Sequence, residues 1–446
     1  MLNRVWISLA AGVACAAGAA AEPFAADTTE VQRTPADSVR EGGLNSLLSG
    51  AAVVADPLAA GEQTVDAVRW LAKRRQFVLR GTPYGFTGLP IIYYSPGTGW
   101  NYGGRLQIAD YHRRPYRYKL SLHWVKSTRG KRVSYLRFRL PHMAGTGFGL
   151  ILTASNKRDI RARYYGLSND SENNEGLTEP AHPDFIDEDY YHYVLEAPRV
   201  IVNLLGHLYG PMTVSLGLGL ERTDVDGRGE RSYYLDAGTP DGVVDGITGF
   251  VGLSLRWDTR DDPSIPRRGL FQEWSYETSR NSLLSLLFEQ IDFQRYTFTD
   301  ARYYPISRRL NIAHRTIVEA LKGTVPLYAY GEIGGSRRIK GLGGSDNLRG
   351  FDRQRFTDNV RALTNTEARY YLGSRTLFKQ HLDLLAILFA DSGQVAPGFS
   401  DLHPLDTHLS IGWGLRTYWN EDFVVRADLG VSEEQLFTTF KYRNIF

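Results

Sequence analysis

A polar segment, GGSDNLRGFDRQRF (residues 343–356), lies between apolar alternating segments and contains the triplet Arg349, Gly350 and Phe351. A guanidinium is planar and permanently charged, so Arg349 is suited to a bidentate contact with a carboxylate that a lysine would not reproduce. Gly350 has no Cβ and therefore permits a turn in which the backbone lies against another surface. The residues alone leave three hypotheses open: a ligand cradle, a catalytic loop, or a structural latch.

The motifs of common enzyme classes do not occur in this sequence. The segment GLSND at Gly166 lacks the final glycine of a Gly-x-Ser-x-Gly nucleophile motif. The histidines are scattered, and none forms a His-Glu-x-x-His zinc motif. The segment GLGGSD lacks the third glycine of a dinucleotide-binding loop and follows no βαβ pattern. We therefore predict that the protein is not an enzyme and binds no cofactor.

Two acidic segments have the composition of a cation site without its spacing. The turn WDTRDDPSIPRRG (residues 257–269) places three aspartates around one arginine, and its prolines and glycine favour a charged turn. The loop SNDSENNEGLTEPAHPDFIDED (residues 168–189) lacks the regular ligand spacing of an EF-hand. We predict no metal site in either segment.

Composition excludes several classes of protein. The net charge of +3 among 446 residues is too small to argue for a nucleic-acid partner. The mean hydropathy of −0.31 excludes a bundle of membrane helices. The chain is nevertheless rich in Tyr (26), Phe (20) and Gly (45), which is typical of a β-barrel whose strands show one face to lipid and the other to water.

The N-terminal residues 1–21 have the pattern of a secretory signal peptide. Arg4 supplies the basic start, residues 5–17 the apolar core, and residues 19–21 a small-residue cleavage site. The single cysteine, Cys15, would leave with this signal, and a mature chain without thiols suits an oxidising compartment. Residues 22–87 are predicted to form a periplasmic tail with one short amphipathic helix in GEQTVDAVRWLAKRRQ.

From about residue 89 onward the apolar residues recur at every second position, as in a β-strand. In HLSIGWGLRT, for example, Leu409, Ile411 and Trp413 share one face, and small or charged residues occupy the other. The predicted strands are about nine to twelve residues long, whereas ordinary strands average about five or six. About sixteen strands are predicted, beginning near residues 89, 100, 116, 132, 147, 190, 210, 248, 269, 289, 309, 362, 380, 407, 423 and 436.

The predicted connections alternate between short turns and long loops. The long loops, at residues 169–189, 224–245, 323–360 and 396–406, all follow odd-numbered strands and therefore lie at one end, opposite the N-terminal tail. A closed barrel also pairs every backbone N–H and C=O between strands, which a lipid environment requires. We predict an all-β fold, in which residues 88–446 form a transmembrane antiparallel β-barrel with a polar interior.

The last predicted strand, LFTTFKYRNIF, ends the chain on an aromatic residue. Phe440, Tyr442 and Phe446 are predicted to face outward, and Thr439 and Lys441 inward. A terminal strand of this kind resembles the recognition signal of outer-membrane barrels, which the barrel assembly machinery reads during insertion.

Five segments in order resemble the barrel of BamA, TamA and the two-partner secretion transporters, the bacterial surface antigen family. They are LPIIYYSPGTGWNYGG, WDTRDDPSIPRRG, Leu348-Arg349-Gly350-Phe351 after the eleventh strand, Glu367-Ala368-Arg369, and LLAILFADSG with Asp391. The resemblance covers about residues 88–446. BamA and TamA carry periplasmic POTRA domains before the barrel, and the residues ahead of this barrel are too few for one with its linker.

The resemblance implies roles for these residues. The loop that carries Arg349 would fold into the lumen and pair this arginine with Asp391, Gly350 would meet the wall, and Phe351 would pack inside. Glu367 and Arg369 would extend the network. Because the lumen of such a barrel is expected to be wet, the pair is expected to position the loop and to contribute little stability.

The resemblance also implies an outer-membrane protein that assists insertion or translocation of polypeptide or lipid, with a weak seam between residues 89–95 and 436–446. Its expected partners are outer-membrane lipid, lipopolysaccharide and the barrel assembly machinery, with no nucleic acid. A passive pore or structural barrel is the alternative hypothesis. The predicted N-terminal helix could plug the lumen.

Overall fold

The structure is a computed structural model, and it describes most of the region that the sequence assigns to a barrel. The described residues are 75–79, 81–95, 97–110, 116–143, 146–228, 231–236, 245–262, 265–279, 292–335, 338–377, 380–419 and 423–441. Within these ranges, no helix is both long and apolar enough to cross a membrane.

Antiparallel strands make up nearly all of the described chain. They are β1 (Arg75–Leu79), β2 (Thr82–Ser95), β3 (Gly99–Asp110), β4 (Tyr118–Ser127), β5 (Arg132–Leu140), β6 (Phe148–Arg163), β7 (His192–Tyr209), β8 (Met212–Gly227), β9 (Gly246–Asp258), β10 (Gly269–Thr278), β11 (Phe293–Pro305), β12 (Leu310–Gly323), β13 (Glu332–Ile333), β14 (Ile339–Lys340), β15 (Val360–Leu377), β16 (Gln380–Ala396), β17 (His408–Trp419), β18 (Phe423–Ser432) and β19 (Leu436–Lys441). The short helices are α1 (Tyr233–Asp236) and α2 (Leu327–Tyr330). Single 3₁₀ turns lie at Glu175–Leu177, Phe399–Asp401 and Pro404–Asp406.

Each long strand pairs with its neighbour in sequence, and β12 pairs with β15 across the longest loop. The strands β2–β12 and β15–β19 number eleven and five, which gives sixteen among the described residues. This result confirms the predicted all-β antiparallel barrel. Most strands begin within about four residues of the predicted position, because period-two alternation marks them clearly.

The first strands lie earlier than predicted. Strand β1 and the first part of β2 fall inside residues 22–87, which the sequence analysis assigns to a tail. Pro83, Gly85 and Gly88 interrupt the apolar alternation there, so the sequence pattern hides the strand. Strand β1 pairs with residues 82–86 on one edge of β2, while β3 pairs with the other edge. The predicted helix in residues 61–76 falls almost entirely outside the described residues.

The two faces of the sheet differ in chemistry. Arginines such as Arg416 and Arg426 point inward and are at most 1% exposed, whereas Leu388, Ile411 and Trp413 on β16 and β17 point outward and are more than half exposed. An apolar outer face and a charged inner face are what a barrel in lipid requires.

The described residues between β12 and β15, 324–335 and 338–359, fold into the barrel interior, and we call them the lumen loop. They contain α2 and the small β13–β14 hairpin. Apolar residues of the lumen loop pack on inward side chains of β12, β15 and β16, and together they form the core cluster of Ile317, Ile333, Ile339, Leu342, Leu348, Phe351, Phe356, Leu363 and Val395. The loop therefore has a hydrophobic core of its own inside the barrel.

Candidate functional site between the lumen loop and the barrel wall

Four adjacent strands direct charged side chains towards one point of the lumen. Glu367 lies on β15, Asp391 on β16, Arg416 on β17 and Asp428 on β18. Each occupies an inward position of its strand, between outward residues that are exposed or partly exposed. Strand pairing brings them together, because Glu367 is paired with Phe389, two residues from Asp391 on β16. The wall thus presents three carboxylates and an arginine to the lumen loop.

Arg349 of the lumen loop is bound by two of these carboxylates. Its Nε donates to Asp391 Oδ2 at 2.7 Å, and its Nη2 donates to Asp391 Oδ1 at 2.8 Å. Its Nη1 donates to Glu367 Oε1 at 2.8 Å, and its backbone N–H donates to Asp391 Oδ2 at 3.2 Å. The guanidinium lies 3.4 Å from the ring centroid of Phe389, which adds a cation–π contact. Hydrogen bonds therefore hold the guanidinium in its plane, and the aromatic ring of Phe389 contacts one of its faces.

Further arginines of the wall share the same carboxylates. Glu367 also accepts from Arg369 at 2.9 Å and from Arg416 at 3.0 Å. Asp428 accepts from Arg416, and Arg426 donates to Asp346 of the lumen loop at 2.8 Å. Four arginines (349, 369, 416 and 426) and four carboxylates (346, 367, 391 and 428) give 4 − 4 = 0 net charge. We call these eight residues the charge network.

The expectation of wet surroundings is wrong for the pair of Arg349 and Asp391. The side chain of Arg349 is 1% exposed and that of Asp391 is 0% exposed. Both side chains are therefore almost completely removed from solvent. Removal of one partner of a buried ion pair leaves the other charge uncompensated, which typically lowers the free energy of unfolding by about 3–5 kcal/mol. The pair is therefore a strong constraint on the position of the loop.

Gly350 and Phe351 complete the contact with the wall. Gly350 has a φ of +99°, and a Cβ there would lie 3.2 Å from Ser432. The Oγ of Ser432 donates to the carbonyl oxygen of Gly350 at 2.7 Å. Phe351 is fully buried, with its ring 5.3 Å from that of Phe356. The triplet thus places its arginine, glycine and phenylalanine in three different contacts.

A second set of ion pairs, which was not predicted from the sequence, fixes the other side of the lumen loop. Glu332 accepts from Arg199 of β7 at 3.4 Å, and Arg338 bonds to Glu277 of β10. Arg199 also donates to Glu221 of β8 at 2.5 Å. The available signal was charge at inward positions of otherwise apolar strands. The loop therefore crosses the lumen from β7 and β10 to β15–β18.

A third attachment lies at the end of the barrel with the long loops. Arg355 donates to Glu434 at 2.6 Å and to the hydroxyl of Ser171 at 2.8 Å. Burial raises the pKa of Glu434, and the adjacent Arg355 acts in the opposite direction. Asp352 accepts from the hydroxyl of Tyr165 at 3.2 Å. These contacts join the lumen loop to the β6–β7 loop and the β18–β19 turn.

The remaining predicted positions have simpler surroundings. Phe440 is half-buried on β19, between the buried Thr439 and Lys441, and Tyr442 and Phe446 lie outside the described residues. In the turn after β9, Arg260 donates to both oxygens of Asp258 at 2.9 and 2.7 Å. Within the described ranges, no group of three His, Cys, Asp or Glu residues is arranged to hold a metal ion.

Comparison with known proteins gives one family and several similar structures. Residues 97–421 match the model of the Omp85 superfamily domain. The chain is similar to BamA from Haemophilus ducreyi lacking POTRA domains 1–3, with a TM-score of 0.51, 11% identity, and 83% and 74% of the two chains covered. CdiB from Escherichia coli is similar with a TM-score of 0.48 and 12% identity, over 85% of this chain and 70% of CdiB. CdiB from Acinetobacter baumannii is similar with a TM-score of 0.45 and 14% identity, over 81% of this chain and 59% of CdiB. No curated protein sequence matches the chain. At 11% identity, the likeness to BamA concerns the fold.

The variant Arg349→Ala is expected to release the lumen loop while the barrel persists. It leaves Asp391 and Glu367 short of a buried partner, which typically costs about 3–5 kcal/mol. Limited proteolysis should then cut within residues 338–359, and circular dichroism should show unchanged strand content. Arg349→Lys should not restore resistance, whereas Arg349→Ala with Asp391→Ala should recover part of it, because the unpaired charge at Asp391 is removed. Unchanged resistance in Arg349→Ala would refute this role.

Gly430→Val tests the same contact by steric means. A Cβ at Gly430 would lie 3.0 Å from the backbone nitrogen of Gly350 and 3.2 Å from the Cβ of Arg349. A branched side chain there should displace the loop and speed amide exchange in residues 343–356, as measured by mass spectrometry. Gly252→Val is the control, because the nearest atom to a Cβ at Gly252 is 3.8 Å away. Equal exchange in both variants would contradict the prediction.

Proposed function

This chain belongs to the Omp85 superfamily and is an outer-membrane β-barrel, and we propose that it assists the insertion or translocation of a polypeptide or lipid at the bacterial outer membrane. The observation that carries the proposal is the lumen loop, which is bound through Arg349 to a buried charge network on β15–β18. A protein that only let solutes diffuse would need an open lumen. Here a loop with its own apolar core lies across it.

The charge network suggests which strands of the barrel would move together and which would separate. It joins β15, β16, β17 and β18 to one another through the loop, so these strands should move as a unit. Movement would then concentrate at the seam between β2 and β19. Strand β1 occupies the edge of β2 at residues 82–86, which leaves residues 87–95 as the part of that edge able to exchange partners. We propose this seam as the route by which a substrate strand reaches the membrane.

The proposed orientation follows from the loops. The long connections β6–β7, β8–β9, β12–β15 and β16–β17 all join strands at the same end of the barrel, and we place that end outside the cell. The N-terminal tail would then lie in the periplasm. Proposed partners are outer-membrane lipid, lipopolysaccharide, an unfolded polypeptide or lipid substrate, and the barrel assembly machinery during insertion of the chain itself.

A reversible seam lock tests the proposal. One cysteine is introduced in residues 87–95 of β2 and one in β19, in pairs screened for disulfide formation. The purified protein is reconstituted in liposomes, and folding of a urea-unfolded eight-stranded outer-membrane barrel is followed by gel shift. The unlocked protein should accelerate folding over empty liposomes, the oxidised lock should abolish the gain, and reductant should restore it.

The control is a cysteine pair placed across β4 and β5, where the strands are continuously paired and no movement is proposed. A lock there should leave folding unchanged. Folding that is accelerated equally by the locked and unlocked proteins would contradict the seam route. Folding that matches empty liposomes in every sample would contradict assistance to barrel polypeptides.

A further inference from the structure

Three cations lie side by side on the outer face of the barrel. Lys126 on β4 is paired with Arg132 on β5, and Arg132 is paired with Arg158 on β6. All three occupy positions that alternate with inward residues, on the same face as the exposed Trp124. They form a row across three adjacent strands, which we call the cationic row.

The cationic row lies next to a group of exposed aromatic residues. Tyr94, Trp100, Tyr102 and Trp124 are each about half exposed on β2, β3 and β4, and the rings of Tyr94 and Trp100 are 5.5 Å apart. Outer-membrane barrels carry such aromatic girdles where hydrocarbon meets the headgroups. Lys126 is two residues beyond Trp124 towards the long loops, about 7 Å along the strand. The row is therefore at the level of lipid headgroups.

The row carries more positive charge than its neighbours neutralise. Arg132 and Arg158 share the single carboxylate of Glu196 on β7, at 3.1 and 3.5 Å. Asp224 on β8 is the strand partner of Glu196, and it is bound by Arg222 at 3.1 Å. The three cations and Glu196 give 3 − 1 = +2, and the Arg222–Asp224 pair adds nothing. The side chain of Arg132 is 50% exposed, so its guanidinium can bind another anion.

We propose that the cationic row binds the phosphate groups of a phosphorylated glycolipid headgroup, the chemistry of lipopolysaccharide, in the leaflet at the long-loop end. Guanidinium groups form bidentate bonds to phosphate, and ammonium groups bind it as point charges. Adjacent strands are about 4.8 Å apart, so the row spans about 10 Å and can contact more than one phosphate. The inference rests on the proposed orientation for its place in the cell.

The position of the row favours a lipid over a soluble ligand. The aromatic residues beside it would contact the sugar and acyl region of the same molecule, whereas a soluble anion would use the cations alone. Each basic residue near a membrane strengthens the binding of anionic lipid. Three such residues together would change the affinity by at least about tenfold.

The test uses the purified full-length protein in non-ionic detergent with lipopolysaccharide as the probe. The triple variant Lys126→Gln, Arg132→Gln, Arg158→Gln should bind at least about tenfold more weakly than the wild type. The matched control, Arg268→Gln, Arg302→Gln, Arg375→Gln, removes the same charge at the short-turn end and should bind within about twofold of the wild type. Equal loss in both variants would overturn the site.

Two further probes keep the proposal testable should the triple variant misfold. The wild type should lose its affinity for dephosphorylated lipopolysaccharide, and retained affinity would overturn phosphate recognition. Inorganic pyrophosphate should bind far more weakly than the lipid, and equal binding would overturn the lipid as the source of the phosphate.

The proposed orientation is checked separately. A cysteine replacing the exposed Glu175 should react with a membrane-impermeant reagent on intact cells. Failure of that labelling would overturn the orientation and with it the proposed leaflet, whereas binding in detergent reports on the row alone. Neither result depends on the seam or on assisted folding, so this site and the proposed function fail separately.

Discussion

A guanidinium that is buried must be matched by carboxylates, and this constraint at Arg349 organises the structure around it. Loss of hydration is offset only if the charge is paired and hydrogen-bonded in good geometry. Asp391 and Glu367 supply that geometry, and they do so only while β15 and β16 keep their register. The position of the loop and the pairing of the wall strands therefore depend on one another.

Because of the second set of ion pairs, the lumen loop is attached to the wall on both sides of the lumen. Glu332 and Arg338 bind residues of β7 and β10, while Arg349 binds β15 and β16. Between these anchors, Leu342, Leu348 and Phe351 are fully buried. The ion pairs fix the ends of this segment, and the apolar side chains form its core. We propose that a loop supported in this way restrains the strands to which it is bound, so that movement would concentrate at the seam between β2 and β19.

Much of this fold could be predicted from alternation. A strand with one face to lipid and one to the lumen repeats every two residues, so the sixteen strands and the inward position of Asp391 follow from the pattern. The resemblance to a known family then paired Asp391 with Arg349. The burial of Arg349 and Asp391 could not be predicted, because it arises only when the lumen loop meets wall strands that are distant from it in sequence. Strand β1 was not predicted, because Pro83 and Gly85 interrupt the alternation in the part of β2 with which it pairs. The ion pair of Glu332 was not predicted either, because the sequence of its loop has no repeating pattern.

The central claim is that the lumen loop, held by the charge network, lies across the lumen and restricts passage through it. Sixteen-stranded barrels without such a loop leave an aqueous channel. The most direct measurement is single-channel conductance in a planar bilayer, for the wild type and for a variant in which residues 338–356 are replaced by a short Gly/Ser linker. The account predicts little current through the wild type and large, steady openings in the variant. Large and equal conductance in both proteins would contradict it.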